Sequence, residues 1–157
     1  MDKIKSILMV CTGNSCRSVM AEGLFKKYLK EAGKEDIEVT SAGVMTVDGF
    51  PPTDKTIDVM KSEGVDVSGY RSKRLTADLI GRSDLILAME DTHKYFVIRL
   101  NPMVEDKVHI LKKYGLDDTL KHSKGDGVPD PIGRSIEFYR SSLEIIKKEA
   151  KRIVELL

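Results

Sequence analysis

A cysteine and an arginine, Cys11 and Arg17, are separated near the start of the chain by five small or polar residues. Those residues are Thr12, Gly13, Asn14, Ser15 and Cys16. A thiolate is a strong nucleophile, and the planar guanidinium group of arginine binds two oxygens of a phosphate at once. The spacing therefore predicts a loop that holds a tetrahedral oxyanion over the sulfur of Cys11.

This loop stands between a predicted strand, residues 7–10, and a helical pattern that starts near Val19. The N-terminus of a helix carries unpaired N–H groups and a partial positive charge, which bind an anion and favour a thiolate. Gly13 and Asn14 are residue types that tolerate the left-handed backbone such a loop needs. We expect Ser18 either to cap the helix or to donate a hydrogen bond to the sulfur of Cys11.

Predicted strands and helices alternate along the chain. The strands are predicted at residues 7–10, 37–41, 84–89 and 107–111, and the helices at 19–32, 53–63, 76–82, 91–100 and 136–157. This order predicts an α/β fold of three layers, with a four-stranded parallel sheet and helices on both of its faces. Ligands of such folds bind beyond the carboxyl ends of the strands, where the phosphate-binding loop after the first strand lies.

Transfer of a phosphoryl group to a thiolate requires a proton donor for the leaving group. The candidate is Asp130, which lies in a predicted long loop, residues 115–135, between Pro129 and Pro131. The two prolines restrict the position of the carboxylate. An Asp-Pro pair is also a common turn element, so this assignment depends on the acid that the Cys11 loop requires.

The composition is that of an ordinary soluble globular protein, with 157 residues, 41% hydrophobic residues, 32% charged residues and a net charge of +1. We expect one domain, residues 1–157. The near-neutral charge gives no sign of a nucleic-acid partner, and no apolar run of about 18 residues predicts a membrane span. Two cysteines are too few for a disulfide scaffold, and a reactive thiol needs a reducing compartment, so we expect a cytoplasmic protein.

The motifs and their order closely resemble those of the low-molecular-weight protein tyrosine phosphatases. The matching segments are Cys11-Thr12-Gly13-Asn14-Ser15-Cys16-Arg17-Ser18, Met20-Ala21-Glu22, Ser41-Ala42-Gly43, residues 84–89 and Asp130-Pro131. The resemblance implies a phosphatase that hydrolyses phosphotyrosine on proteins through a phosphocysteine, without a cofactor or a metal. It implies Cys11 as the nucleophile, Arg17 and the N–H groups of residues 12–18 as phosphate ligands, and Asp130 as the acid and then the base.

The resemblance also implies supporting residues. Ser18 would stabilise the thiolate as a leaving group, and Asn14 and Ser41 would hold the backbone of the loop by hydrogen bonds. The expected substrate pocket comprises Thr12, Ser15, Val47 and Ile132. The expected substrate is a phosphorylated protein, and the expected assembly is a monomer.

No histidine has the spacing of a metal ligand, and we expect all three to fill surface or core positions. They are His93, His109 and His122.

The sequence leaves two substrates open, phosphotyrosine and phosphoarginine. Ser15 stands where a bulky apolar residue often lines a phosphotyrosine pocket, and Ile132 and Gly133 stand where aromatic residues often follow the Asp-Pro pair. The related bacterial protein arginine phosphatases have a small hydroxyl residue at this position, and Ser15 is similar to it. We place phosphotyrosine slightly ahead, because most members of the family that this sequence resembles act on phosphotyrosine.

Two other functions are disfavoured. The thioredoxin-coupled arsenate reductases share the segment around Cys11, but they need two further cysteines downstream, and this chain has only Cys11 and Cys16. A non-catalytic phosphate-binding module needs neither the nucleophile nor the acid.

Cys16 lies five residues after Cys11. This spacing predicts a disulfide that forms under peroxide and protects Cys11 from irreversible oxidation. The resemblance implies the same, because relatives in that family also have this pair of cysteines. An inert position at the start of the helix is the alternative.

Overall fold

A four-stranded parallel sheet forms the centre of the computed structural model, which describes residues 3–117 and 127–157. The strands are β1 (Ser6–Cys11), β2 (Glu38–Gly43), β3 (Leu85–Ala88) and β4 (Val108–Ile110), in the order β2-β1-β3-β4. All neighbouring strands are parallel, and Met9 of β1 lies opposite Ser41 of β2 and Leu87 of β3. The segment after β1 therefore lies between the carboxyl ends of β2 and β3, where ligands of such sheets bind.

Helices connect the strands and end the chain. They are α1 (Arg17–Glu31), α2 (Asp54–Ser62), α3 (Ala77–Arg82), α4 (Asp91–Leu100), a 3₁₀ helix (Pro102–Lys107) and α5 (Ile136–Leu156). α1 begins at Arg17, two residues before the expected start near Val19, because the loop closes directly into its first turn and the Cys16 carbonyl accepts from the Met20 N–H. The 3₁₀ helix is not evident in the sequence pattern, since such short turns lack a clear periodicity.

The sheet is buried on both faces. Ile7 and Met9 of β1 pack in one apolar cluster with side chains of α1, α2 and α5, whereas Leu8 and Val10 pack in a second cluster with side chains of α3 and α4. A strand that is covered on both faces has a continuous apolar sequence instead of an alternating one. The predicted α/β class, with helices on both faces and the loop after the first strand, is confirmed.

Hydroxyl side chains cap three of the helices. Thr53, Thr76 and Ser135 accept hydrogen bonds from N–H groups in the first turns of α2, α3 and α5. These caps lie within a residue of the predicted helix starts.

The expected long loop is described only in part. Residues 127–135 contain no helix or strand, whereas residues 118–126, which include His122, lie outside the described part of the chain. In the described ranges, no helix combines the length and apolar character needed to cross a bilayer.

Candidate active site

The loop between β1 and α1 forms the floor of a cavity of about 220 Å³. Residues 11–17 other than Asn14 line this cavity, together with Met45, Asp130 and Ile132. The structure thus brings a thiol, a guanidinium group and a carboxylate to one cavity, although Asp130 lies 119 positions after Cys11 along the chain.

Two hydrogen-bond donors surround the sulfur of Cys11. Its Sγ lies 2.9 Å from Ser18 Oγ and accepts from the Asn14 N–H at 3.3 Å. Asn14 Nδ2 donates to Ser18 Oγ at 2.8 Å, which leaves the hydrogen of Ser18 available for donation to a thiolate at Cys11. Cys16 occupies the N-cap position of α1, and Ser18 lies inside the helix. Ser18 therefore does not cap the helix, and of its two expected roles the contact with the Cys11 sulfur is the one observed. Donors to a sulfur stabilise its anionic form.

Asn14 adopts the left-handed backbone that the loop requires, with φ of 53°. Gly13, the other residue type of the loop that tolerates this conformation, does not have a positive φ. The Asn14 side chain is buried, donates to Ser41 Oγ at 2.8 Å and accepts from the Lys73 N–H at 2.9 Å. The side chain of Asn14 therefore fixes the loop to β2 and to the segment that precedes α3.

A buried carboxylate sets the direction of this hydrogen-bond chain. Ser41 donates to Glu22 Oε1 at 2.6 Å, and Lys26 donates to Glu22 Oε2 at 2.6 Å. Because a carboxylate only accepts, the Ser41 hydrogen is committed to Glu22 and its oxygen must accept from Asn14. Glu22 lies in one of the segments that carry the family resemblance, but it is not among the predicted site residues.

Gly43, at the carboxyl end of β2, lies directly against the loop. A Cβ atom at this position would lie 2.7 Å from the Thr12 carbonyl oxygen and 3.0 Å from the Asn14 nitrogen. A side chain there would displace the loop backbone, which explains the need for glycine.

Acceptors on two segments hold the guanidinium group of Arg17, which is 2% exposed. Nη1 donates to the Val128 carbonyl at 2.9 Å and lies 3.2 Å from Glu90 Oε1, and Nη2 lies 3.5 Å from Asp130 Oδ2. Glu90 is absent from the predicted site residues. Its position immediately after β3, at the carboxyl edge of the sheet, is the signal that could have identified it.

Asp130 closes a turn with its carboxylate, and the same residue lines the cavity. Its Oδ1 accepts from the Ile132 N–H at 3.1 Å, which closes a turn, and its side chain is 40% exposed. The Pro129 carbonyl accepts from the Ser142 hydroxyl of α5 at 3.0 Å, so the segment is attached to a helix.

Three of the four expected pocket residues, Thr12, Ser15 and Ile132, line the cavity, and Val47 does not. Val47 lines an adjacent cavity with Phe50, and Met45 borders both. The cause is backbone hydrogen bonding. The Met45 N–H donates to the Thr12 carbonyl at 2.9 Å, whereas the Val47 carbonyl accepts from the Ser72 hydroxyl at 2.6 Å, farther along the segment.

Cys16 also borders the cavity, as a free and buried thiol. Its Sγ lies 3.5 Å from the Tyr139 hydroxyl and 3.6 Å from Thr53 Oγ1. Burial raises the pKa of Tyr139 to about 12, so this hydroxyl keeps its proton at neutral pH.

His93 corrects one expectation, because it is a neighbour of the loop instead of a surface or core filler. It is 1% exposed, and its Nε2 lies 2.9 Å from Thr12 Oγ1. Burial, and then the positive charge of Arg17, lower the pKa of His93 to about 4. His109, by contrast, lies against the ring of Tyr114.

Stability should depend on pH through His93. Between pH 6.5, the ordinary pKa, and about 4, the unfolded chain binds a proton at His93 that the folded chain excludes. The free energy of unfolding contributed here is therefore fully present above pH 6.5 and falls as the pH drops towards 4. Urea unfolding across this pH range should show that the free energy of unfolding falls more steeply with decreasing pH in the wild type than in His93→Asn. Equal slopes in the two proteins would contradict the burial of a neutral imidazole.

Comparisons with known proteins agree over nearly the whole chain. The family model described as low molecular weight phosphotyrosine protein phosphatase matches residues 6–157. The protein-arginine-phosphatase of Bacillus subtilis (strain 168) is 33% identical over 96% of this chain and 95% of its own. The probable low molecular weight protein-tyrosine-phosphatase AmsI of Erwinia amylovora is 37% identical over 98% of both chains. The crystal structure of the low molecular weight protein tyrosine phosphatase from T. tengcongensis superposes with a TM-score of 0.87 at 37% identity, covering 97% of this chain and 99% of that one.

Proposed function

The chain belongs to the low molecular weight phosphotyrosine protein phosphatase family, and we propose that it hydrolyses phosphotyrosine on proteins through a phosphocysteine intermediate. The observation that carries the proposal is the cavity that Cys11, Arg17 and Asp130 share. A nucleophile, an anion ligand and a proton donor around one space are the parts that hydrolysis of a phosphate ester by this route requires.

The proposed reaction has two steps. In the first, Sγ of Cys11 attacks phosphorus, the bond to the phenolic oxygen breaks, and Asp130 gives its proton to that oxygen. In the second, water attacks phosphorus and gives a proton to Asp130. The sulfur–phosphorus bond breaks, Ser18 stabilises the departing thiolate, and inorganic phosphate leaves.

Arg17 and the backbone of the loop bind the phosphoryl group in this proposal. The ligands are the N–H groups of Thr12, Gly13, Asn14, Ser15, Cys16, Arg17 and Ser18. Their donors are fixed before the reaction, so charge on the phosphoryl oxygens is stabilised without reorganisation. Asn14 and Ser41 support the loop, as their hydrogen bonds suggest.

Hydrolysis of phosphoarginine on proteins is the second candidate. Among the described residues, those that line the cavity include the small Ser15 and no aromatic side chain, and the Bacillus subtilis relative is a protein-arginine-phosphatase. A phosphotyrosine ring would instead lie between Met45 and Ile132, which are apolar residues that line the cavity.

Parallel turnover of a phosphotyrosine peptide and a phosphoarginine peptide separates the two candidates. The wild type should show the higher kcat/KM with phosphotyrosine. Ser15→Ile should retain this activity and lower any turnover of phosphoarginine by about tenfold or more, because the larger side chain narrows the cavity. A higher kcat/KM of the wild type with phosphoarginine would overturn the first candidate in favour of the second.

We also propose redox control through Cys16. Peroxide would join Cys11 and Cys16 in a disulfide that dithiothreitol reverses. Activity of the wild type should recover after peroxide and then dithiothreitol, whereas Cys16→Ser should lose activity permanently. Equal recovery of the two proteins would exclude this role.

The domain organisation, the assembly, the location and the partners are proposed as well. The 157 residues would form one phosphatase domain. It would act as a monomer, in the cytoplasm, on phosphorylated proteins and not on nucleic acids. The reducing conditions there would keep Cys11 a free thiol.

A further inference from the structure

Thr12 and His93 form a contact inside the site to which the proposed reaction gives no role. Thr12 follows the nucleophile directly and lines the cavity, and His93 lies in the first turn of α4. Nε2 of the buried ring lies 2.9 Å from Thr12 Oγ1.

The other ring nitrogen determines where the proton lies. The Glu90 N–H donates to Nδ1 of His93 at 3.1 Å, so Nδ1 presents its lone pair. A neutral imidazole carries one proton, which must then lie on Nε2 and be donated to Thr12 Oγ1.

A second donor reaches the same oxygen. Arg17 Nη2 lies 3.4 Å from Thr12 Oγ1. Two donors occupy the two acceptor positions of the hydroxyl, so Thr12 takes part in any further hydrogen bond only as a donor. Within residues 3–117 and 127–157, these two are the hydrogen bonds that its hydroxyl makes. Its hydrogen is therefore available to a ligand in the cavity that Thr12 lines.

We propose that His93 is a positioning residue that orients the Thr12 hydroxyl as a hydrogen-bond donor to the phosphoryl group bound over Cys11. The inference rests on the proposed phosphatase function. In phosphoryl transfer, charge is spread over the three equatorial oxygens. A donor that is oriented beforehand stabilises that charge at no cost of reorganisation.

Variants of the two residues separate positioning from a general structural effect. Thr12→Val removes the donor and should lower kcat for p-nitrophenyl phosphate by about 10- to 100-fold, whereas Thr12→Ser keeps the hydroxyl and should stay within a few-fold of the wild type. His93→Asn keeps an acceptor for the Glu90 N–H but loses the donor to Thr12, and it should lower kcat by about tenfold. His93→Gln restores a donor at the distance of Nε2 and should recover part of that loss.

The double variant gives the sharpest result. Because His93 would act through Thr12, Thr12→Val with His93→Asn should be no slower than Thr12→Val alone. Independent, additive losses would overturn the proposal, and so would an unchanged kcat in both single variants. Thermal unfolding of each variant identifies losses that come from the fold.

Two measurements on the protein without turnover keep this inference separate from the proposed function. Nitrogen-15 NMR of the wild type should show His93 protonated at Nε2 and unprotonated at Nδ1 near pH 7, and the opposite tautomer would overturn the proposal. Inorganic phosphate should bind Thr12→Val more weakly than Thr12→Ser, and equal affinities would also overturn it. If the wild type hydrolysed no phosphate ester, the proposed function would fail while these two results would still decide the role of His93.

Discussion

Replacement of Cys11 by serine should lower kcat for p-nitrophenyl phosphate by about 10⁴-fold or more. The two donors at Sγ, the Ser18 hydroxyl and the Asn14 N–H, stabilise a thiolate. A serine hydroxyl at this position would still carry its proton, and the described residues place no carboxylate or imidazole within hydrogen-bonding distance of Sγ to remove it. The measurement is steady-state release of p-nitrophenol at saturating substrate.

Cys16→Ser is the matched control, since it makes the same chemical change at the other cysteine that borders the cavity. It should lower kcat by less than about tenfold, because Cys16 Sγ contacts the hydroxyl groups of Thr53 and Tyr139, which can also form hydrogen bonds with a serine hydroxyl. Activity of Cys11→Ser comparable to that of Cys16→Ser would exclude Cys11 as the nucleophile.

Replacement of Asp130 by asparagine should lower kcat by about 10²- to 10³-fold for phosphotyrosine, whose leaving group needs a proton. With p-nitrophenyl phosphate the loss should be smaller, because nitrophenolate leaves readily without protonation. Asparagine keeps the oxygen that accepts from the Ile132 N–H, so the turn is preserved and the ability to give a proton is lost.

The ratio of the two losses is the informative quantity. The loss of kcat with phosphotyrosine, divided by the loss with p-nitrophenyl phosphate, should be well above one for Asp130→Asn. A burst of p-nitrophenol should still precede steady state, because formation of the intermediate from this substrate needs no proton donor. An equal loss with both leaving groups would mean that Asp130 supports the loop or Arg17, which lies 3.5 Å away, and gives no proton.

The fold was predictable because its signals are local. The continuous apolar run of β1 and the hydroxyl caps of α2, α3 and α5 follow directly from neighbouring residues. The Cys11 loop was predictable for the same reason, since the nucleophile, the anion ligand and the start of α1 lie within one segment.

The supporting residues were not predictable because they lie far away along the chain. Glu90 reaches Arg17 only because β3 pairs with β1, and His93 reaches Thr12 only because α4 begins where β3 ends. Met45 replaces Val47 in the cavity because of one backbone hydrogen bond to Thr12, which side-chain patterns do not encode.

Glu22 shows the same limit in another form. Its role depends on the distance to Ser41 on a neighbouring strand, 2.6 Å between oxygens, and no periodicity of α1 signals it. Helical spacing alone would assign this residue to a solvated face, because glutamate is seldom buried without a partner.

Covalent capture of the intermediate tests the phosphocysteine mechanism most directly. Asp130→Asn should form the intermediate from p-nitrophenyl phosphate and hydrolyse it slowly, because the residue that activates water is missing. Rapid quenching in an alkaline denaturant, in which the sulfur–phosphorus bond is stable, followed by peptide mass spectrometry should find one phosphate group on the peptide that contains Cys11, attached to that cysteine. Continued release of p-nitrophenol with no phosphate on Cys11, or with phosphate on another residue, would contradict the mechanism.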